Sequence, residues 1–193
     1  NGWQRVAAID LTKPDAVTWW GTLLQTALDL GYDGWMLDFG EYIPYEARVH
    51  DGRRGWEAHN DYPVAVARAT YEYLRRVRDD DFLFFVRSGY TGTQAVTPMV
   101  WSGDPTTAFD DARGLPSSVR AGLNAGLSGI PFWGSDISGY TCLNVTPADK
   151  EVLPPLDRVR RLLSRHARRE RVRGRGRRRK WRCRHFAALR DRR

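Results

Sequence analysis

The residues best equipped for chemistry are acids that stand where apolar runs end. Over residues 34–44 (GWMLDFGEYIP) a short apolar run stops at Asp38, and Gly40, Glu41 and Pro44 follow at once. A buried strand that ends this way delivers its acid to a surface cleft, and in α/β barrels the C-terminal strand ends carry the chemistry while strand interiors pack. The competing reading is an acid that caps the next helix or turn. Arg87 closes a second run, and Asp104 and Asp136 each follow a further run and a glycine. These acids lie too far apart in sequence to meet locally, but successive strand ends of one barrel would gather them around one mouth. Two carboxylates across a pocket, with one arginine beside them, are the equipment of glycoside hydrolysis: one acid stays ionised as nucleophile while the other is kept protonated for the leaving group. Arg87 would hold charge and orientation, and Trp101, Trp133 and Phe39 would offer apolar faces to a sugar ring. On spacing alone, ordinary ion pairs between strand-end acids and arginines fit equally well.

The elements that must position these residues follow from periodicity. Apolar runs over residues 5–10, 34–38, 82–87, 97–101 and 129–133 read as buried strands without alternation, the form that parallel sheets require. Helix-period segments lie between them. Residues 14–30 begin with Pro14 and Asp15 and stop at Gly31, which predicts a helix with both boundary signals. Residues 62–78 set Ala67, Tyr71 and Leu74 on one face and Arg68, Glu72, Arg75 and Arg76 on another. Residues 117–127, rich in Ala and Gly, suit close packing against a sheet. Alternating strands and helices imply right-handed βαβ units and a parallel sheet. Polar strand ends all along the chain favour a (β/α)8 barrel over a doubly wound sheet with a single crevice, and no G-x-G-x-x-G or P-loop supports a nucleotide fold. Five strands cannot close eight, so the expected fold class is α/β, a partial TIM barrel forming the middle portion of a larger one.

Composition narrows the function classes further. The 193 residues include eight Trp, eight Tyr and seven Phe, ample for a globular core. The net charge of +8 divides unevenly: residues 1–150 carry −6 and residues 151–193 carry +14. The basic character therefore belongs to the C-terminal segment. No apolar run approaches about 18 residues, which argues against a membrane-spanning helix. Cys142 and Cys183 lie in unlike regions and form no readable disulfide framework or metal motif. A metal site from His50, Asp51, His59 and Asp61 is disfavoured because two histidines nine residues apart match no compact ligand spacing. His59-Asn60-Asp61 reads instead as the cap of the helix that starts near Pro63. No cofactor and no metal are called for.

The segment over residues 33–44 resembles the nucleophile region of glycoside hydrolase family 31, the retaining α-glucosidase family. Its form is closest to the bacterial branch that includes the sulfoquinovosidases. The similarity continues through DLTKP at 10–14, HNDYP at 59–63, RSGYTG at 87–92, WSGD at 101–104 and SDISGY at 135–140. It covers nearly all of residues 5–150 with its motifs in family order. Carried over residue by residue, the resemblance implies that Asp38 attacks the anomeric carbon to form a covalent glycosyl-enzyme. Asp104 would be the general acid and then the base for water. Glu41 matches an acid that supports the nucleophile, Arg87 an arginine that binds substrate and contacts the acid/base, and Asp136 a pocket acid near it. The two carboxyl groups of Asp38 and Asp104 would then lie about 5–6 Å apart, as retention requires. The partner implied is a carbohydrate, an α-glucoside or a sulfoquinovoside, with neither a membrane nor a nucleic acid involved. The family's remaining strands, a late substrate-binding histidine and the sulfonate-reading residues would fall before Asn1 or after Tyr140.

From about Leu153 the text changes to crowded arginines among scattered leucines. Three readings apply: a polyanion-binding segment acting through phosphate contacts, a solvated disordered run, and a reading-frame shift at residues 151–154. A GC-rich frame displaced by one base gives arginine-dense text of this kind, and the resemblance stops just there. The expected division is therefore a barrel segment over residues 1–150 and an Arg-rich tail over 151–193. The alternative function is a polyanion-binding or nucleic-acid-binding protein acting through that tail.

Overall fold

The structure, a computed structural model, describes residues 7–97, 99–136 and 140. In chain order its elements are α1 (Pro14–Asp29), β1 (Gly34–Leu37), the short α2 (Gly55–Ala58), α3 (Tyr62–Arg78), β2 (Leu83–Val86), a 3₁₀ turn (Thr93–Ala95), β3 (Met99–Trp101), α4 (Leu115–Leu127) and β4 (Phe132–Gly134). The strands form one sheet in the order β1-β2-β3-β4. Strand β1 runs parallel to β2 with Leu37 beside Val86, and β2 runs parallel to β3 with Val86 beside Val100. Strands β1 and β2, parallel neighbours with α2 and α3 between them, form the βαβ unit expected from periodicity, whereas β2 and β3 are joined through the 3₁₀ turn. The chain divides into two compact units, one comprising Asn1–Trp101 with Gly126–Phe132 and the other Ser102–Ala125 with Trp133–Arg193.

Helix α1 starts at Pro14, whose fixed φ suits the first turn, and the chain leaves it through Gly31 at φ 86. Helix α3 buries Val66, Ala67, Thr70 and Leu74 along one stripe while Arg68, Glu72, Arg75 and Arg76 stay exposed. The two helices pack closely because Gly21 has no side chain: a Cβ there would lie 2.7 Å from the Tyr73 ring. Polar ends are satisfied across the same contact, with Trp20 Nε1 donating to Thr70 Oγ1 at 3.0 Å and the Tyr73 hydroxyl donating to Gln25 Oε1 at 2.6 Å. Among the described residues no helix is long and apolar enough to cross a membrane.

Several expectations change. The strands were expected to be buried throughout, yet Phe84 is 0% exposed and its neighbour Leu83 is 50% exposed. Successive strand side chains point to opposite faces, and in a barrel one face meets the surrounding helices while the other looks into the interior, which opposing strands fill. Residues 7–10 form no strand, although 5–10 read as one: the Ile9 carbonyl accepts the Tyr62 hydroxyl at 3.0 Å and the Asp10 carbonyl accepts the Lys13 amide at 3.1 Å. Asp61 occupies the N-cap position of α3 but makes no capping bond, because its carboxylate is taken by Arg53 at 2.8 Å. Helix α2 and the 3₁₀ turn carry no clear periodic signal and were not anticipated. Residues 5 and 6, part of the motif over 135–140, both cysteines and the basic segment over 151–193 lie outside the described residues.

Candidate active site

Asp38 is the first residue past β1 and Arg87 the first past β2. One step beyond the paired Leu37 and Val86 sets Asp38 beside Arg87, and one step beyond Val86 and Val100 sets Arg87 beside Trp101. Parallel strands in this register therefore bring an acid, a cation and an indole to one rung at the C-terminal edge. The guanidinium is nearly enclosed, its side chain 12% exposed. It donates to Glu41 Oε1 from Nε at 2.9 Å and from Nη2 at 2.5 Å, and Nε stands 3.4 Å from Asp38 Oδ1. Its carbon lies 4.2 Å from the centre of the Phe39 ring, over the ring face. Burial pushes the Arg87 guanidinium down, but the Glu41 bonds and the charges of Glu41 and Asp38 outweigh it, so its pKa is raised and it stays a cation. Glu41 Oε2 is buried without a hydrogen-bond partner.

The backbone just past Asp38 is unusual. Phe39 sits at φ 62 and Gly40 at φ 90. Glycine adopts that region freely, but for a side chain such as Phe it costs roughly 1–2 kcal/mol. The turn directs the Phe39 amide onto Asp38 Oδ1 at 2.9 Å, and the Ser88 hydroxyl donates to the Phe39 carbonyl at 2.8 Å. A cleft of about 450 Å3 opens here, lined by Asp38, Phe39 and Tyr42 on one side and by Ile9, Leu11, Trp20 and Tyr62 on the other. The loop over residues 45–61 is tied to residues 10–12 nearby. Asp10 accepts the Thr12 amide and hydroxyl at 3.0 and 2.7 Å and the His50 amide at 2.6 Å, and Thr12 Oγ1 accepts the Asp51 amide at 3.2 Å. Burial raises the Asp10 carboxyl, but these donors outweigh it and its pKa is lowered. Asp51 and Asp61, weighed from sequence as metal ligands, both bind Arg53.

In the second unit Asp104 is exposed beside a cleft of about 260 Å3 lined by Ser102, Pro105, Arg113 and Ser117. The Ser102 amide donates to the Gly134 carbonyl at 3.0 Å, the serine hydroxyls of Ser102 and Ser135 are 3.1 Å apart, and the Tyr140 amide donates to the Pro105 carbonyl at 2.8 Å. These bonds join the Asp104 segment to the Asp136 segment.

The three aromatics expected at the sugar differ in their surroundings. Trp133 sits against α4, where a Cβ on Gly122 would meet its Cδ1 at 2.6 Å, so the indole serves helix-to-strand packing. Trp101 is 5% exposed, with Nε1 unpaired, and forms a wall rather than an open face. Phe39 is 54% exposed, with Arg87 over one face of its ring.

A family model described as the glycosyl hydrolases family 31 TIM-barrel domain matches residues 1–165. The chain belongs to glycosyl hydrolase family 31. A sulfoquinovosidase of Escherichia coli strain K12 is 37% identical over 147 residues, 75% of this chain and 22% of the relative. An alpha-xylosidase of Emericella nidulans is 35% identical over 141 residues, 72% of this chain and 18% of the relative. Among solved structures, a family 31 sulfoquinovosidase from E. rectale in complex with an aza-sugar inhibitor superposes with a TM-score of 0.71 at 35% identity, covering 75% of this chain and 22% of that one. The chain thus spans about a fifth (22%) of the length of the sulfoquinovosidases it matches. These matches lend no support to the polyanion-binding alternative.

Within the family 31 barrel segment the pKa of Asp136 is raised, because burial disfavours its anion and the charge of Asp104 adds to that. The folded state therefore binds this proton more tightly than the unfolded state. The resulting stability is fully present below the ordinary value of 3.8 and is lost as pH rises through the higher folded value. Asp136→Asn is expected to flatten the stability profile just above that point. Urea unfolding at intervals from about pH 3.5 to 6 measures it, and an unchanged slope in the variant would disprove the linkage. Sequence reasoning missed Ser88, Tyr42 and Tyr62. A serine directly after the strand-end Arg87 was the available signal for Ser88, but its partner is a backbone carbonyl, to which no residue-type pattern points.

Proposed function

We propose that the protein hydrolyses α-glycosidic bonds with retention of configuration through a covalent glycosyl-enzyme. The observation that carries this reading is Asp38 at the end of β1, in a cleft of about 450 Å3, with the enclosed Arg87 cation 3.4 Å away. Asp38 attacks the anomeric carbon while Asp104 gives its proton to the departing oxygen. Water then attacks the glycosyl-enzyme, Asp104 takes the proton, and Asp38 leaves as carboxylate. Glu41 supports the nucleophile by occupying Arg87 with two hydrogen bonds, so that the cation contacts Asp38 only at a distance and does not quench it. Arg87 and Asp136 bind the substrate's hydroxyl groups, and Phe39 and Trp101 offer apolar surface to the sugar.

The substrate is a carbohydrate, with α-glucosides as the broad class and sulfoquinovosides as the narrower one that two of the relatives suggest. A 5-fluoro α-glycosyl fluoride tests the reaction, because its glycosyl-enzyme forms faster than it hydrolyses. The expected result is one added sugar on the protein, mapped by peptide mass spectrometry to Asp38. Labelling of a different carboxylate would refute the assignment.

A further inference from the structure

Phe39 requires an explanation that its own chemistry does not supply. A phenylalanine at φ 62 beside a glycine at φ 90 is a left-handed pair in which only the glycine is at ease. Such a conformation persists when its surroundings impose it. Two groups from the end of β2 hold Phe39: Arg87 stacks over the ring at 4.2 Å, and the next residue, Ser88, binds the carbonyl at 2.8 Å. The stacking can slide along the ring, whereas the hydroxyl bond fixes the peptide plane. That plane, between Phe39 and Gly40, is joined through φ and ψ of Phe39 to the preceding Asp38–Phe39 peptide, so holding it in the left-handed turn sets the Phe39 amide 2.9 Å from Asp38 Oδ1.

We propose that Ser88 is a positioning residue for the nucleophile: its hydroxyl locks the left-handed Phe39 backbone, which anchors Asp38 Oδ1 and leaves Oδ2 as the attacking oxygen. The proposal rests on the hydrolase reading above and extends it to a residue whose hydroxyl is bonded to the backbone. Ser88 acts by holding the carboxylate plane, and a carboxylate free to rotate spends less time in line with the anomeric carbon.

The test compares the parent protein with Ser88→Ala and Ser88→Thr by two measurements. Backbone couplings and carbon shifts of isotopically labelled protein report φ at Phe39 without any turnover. Intact-mass kinetics with the 5-fluoro glycosyl fluoride report the rate constant and the half-saturating concentration for capture of Asp38. Ser88→Ala is expected to move Phe39 out of the left-handed region and to slow capture about 10–100-fold, with little change in half-saturation. Ser88→Thr, which keeps the hydroxyl, is expected to retain both properties. The proposal is overturned if Ser88→Ala keeps the positive φ, if it loses that φ while capture is unchanged, or if Ser88→Thr fails as alanine does. Absence of capture in the parent protein overturns the hydrolase reading itself, whereas capture that Ser88→Ala leaves untouched overturns the positioning role alone.

Discussion

Replacing Asp38 with alanine is expected to lower hydrolysis of an aryl α-glycoside by a factor on the order of 10^4 or more. In the proposed mechanism no glycosyl-enzyme forms without the carboxylate, and the oxocarbenium-like transition state loses the anion that faces it. The fold should tolerate the change, because the principal partner of Arg87 is Glu41 Oε1, at 2.9 and 2.5 Å, and that pair remains. An unaltered circular dichroism spectrum beside the lost activity would separate chemistry from unfolding. The truncated side chain also leaves a space at the anomeric carbon that azide can enter. Azide is expected to restore release of the aryl alcohol and to yield a β-glycosyl azide, since it attacks from the face that Asp38 occupied. Activity of Asp38→Ala within about tenfold of the parent would remove Asp38 from the nucleophile role.

Phe84→Ala has the largest effect expected on stability, about 3–5 kcal/mol. Phe84 is 0% exposed in the middle of β2, the strand paired on both sides. Its removal takes away the transfer energy of a ring and leaves a cavity that a clamped strand cannot close. A loss of that size is comparable to the whole stability of many domains, so chemical unfolding should begin in little or no denaturant. Leu30→Ala provides the contrast: Leu30 is 73% exposed, and its change should stay within about 0.5 kcal/mol. Urea titrations of both variants measure the difference. Equal midpoints for Phe84→Ala and the parent protein would show that the core does not depend on this ring.

Much of the scaffold was legible from residue types. Helix α3 spans Tyr62–Arg78, the same bounds that its apolar stripe and exposed arginines indicated. Helix α1 begins at Pro14 and gives way at Gly31, because these residues act through their own backbone preferences and need no neighbours to do so. Strands β1 and β2 end one residue before Asp38 and Arg87, as the abrupt change from apolar to charged suggested. The acids and the arginine were visible as candidates because a charge placed at the end of a buried run costs energy unless that end reaches water or a partner.

Other features depended on distant contacts. Asp61 stands where a helix cap should, yet Arg53 takes its carboxylate, and only the folded loop sets that arginine 2.8 Å away. The packing of Trp133 against Gly122 of α4 was not legible either, since strand alternation decides which face a residue takes and a three-residue strand carries too little pattern to show it. Similarity among motifs in family order made Asp104 and Asp136 candidates, but that burial and then the charge of Asp104 raise the pKa of Asp136 is a property of the folded segment.

By itself the sequence determined the parallel α/β plan, the boundaries of α1 and α3 and the charged residues that end β1 and β2, because these follow from local preference and hydrophobic period. Only the tertiary structure decided how the site is held: the register that sets Asp38, Arg87 and Trp101 on one rung, the division of Arg87 between Glu41 and Asp38, and the left-handed Phe39 pinned by Ser88. Each of these is a relation between residues some 14 to 63 positions apart in the chain, and such relations come into being only when the strands pair.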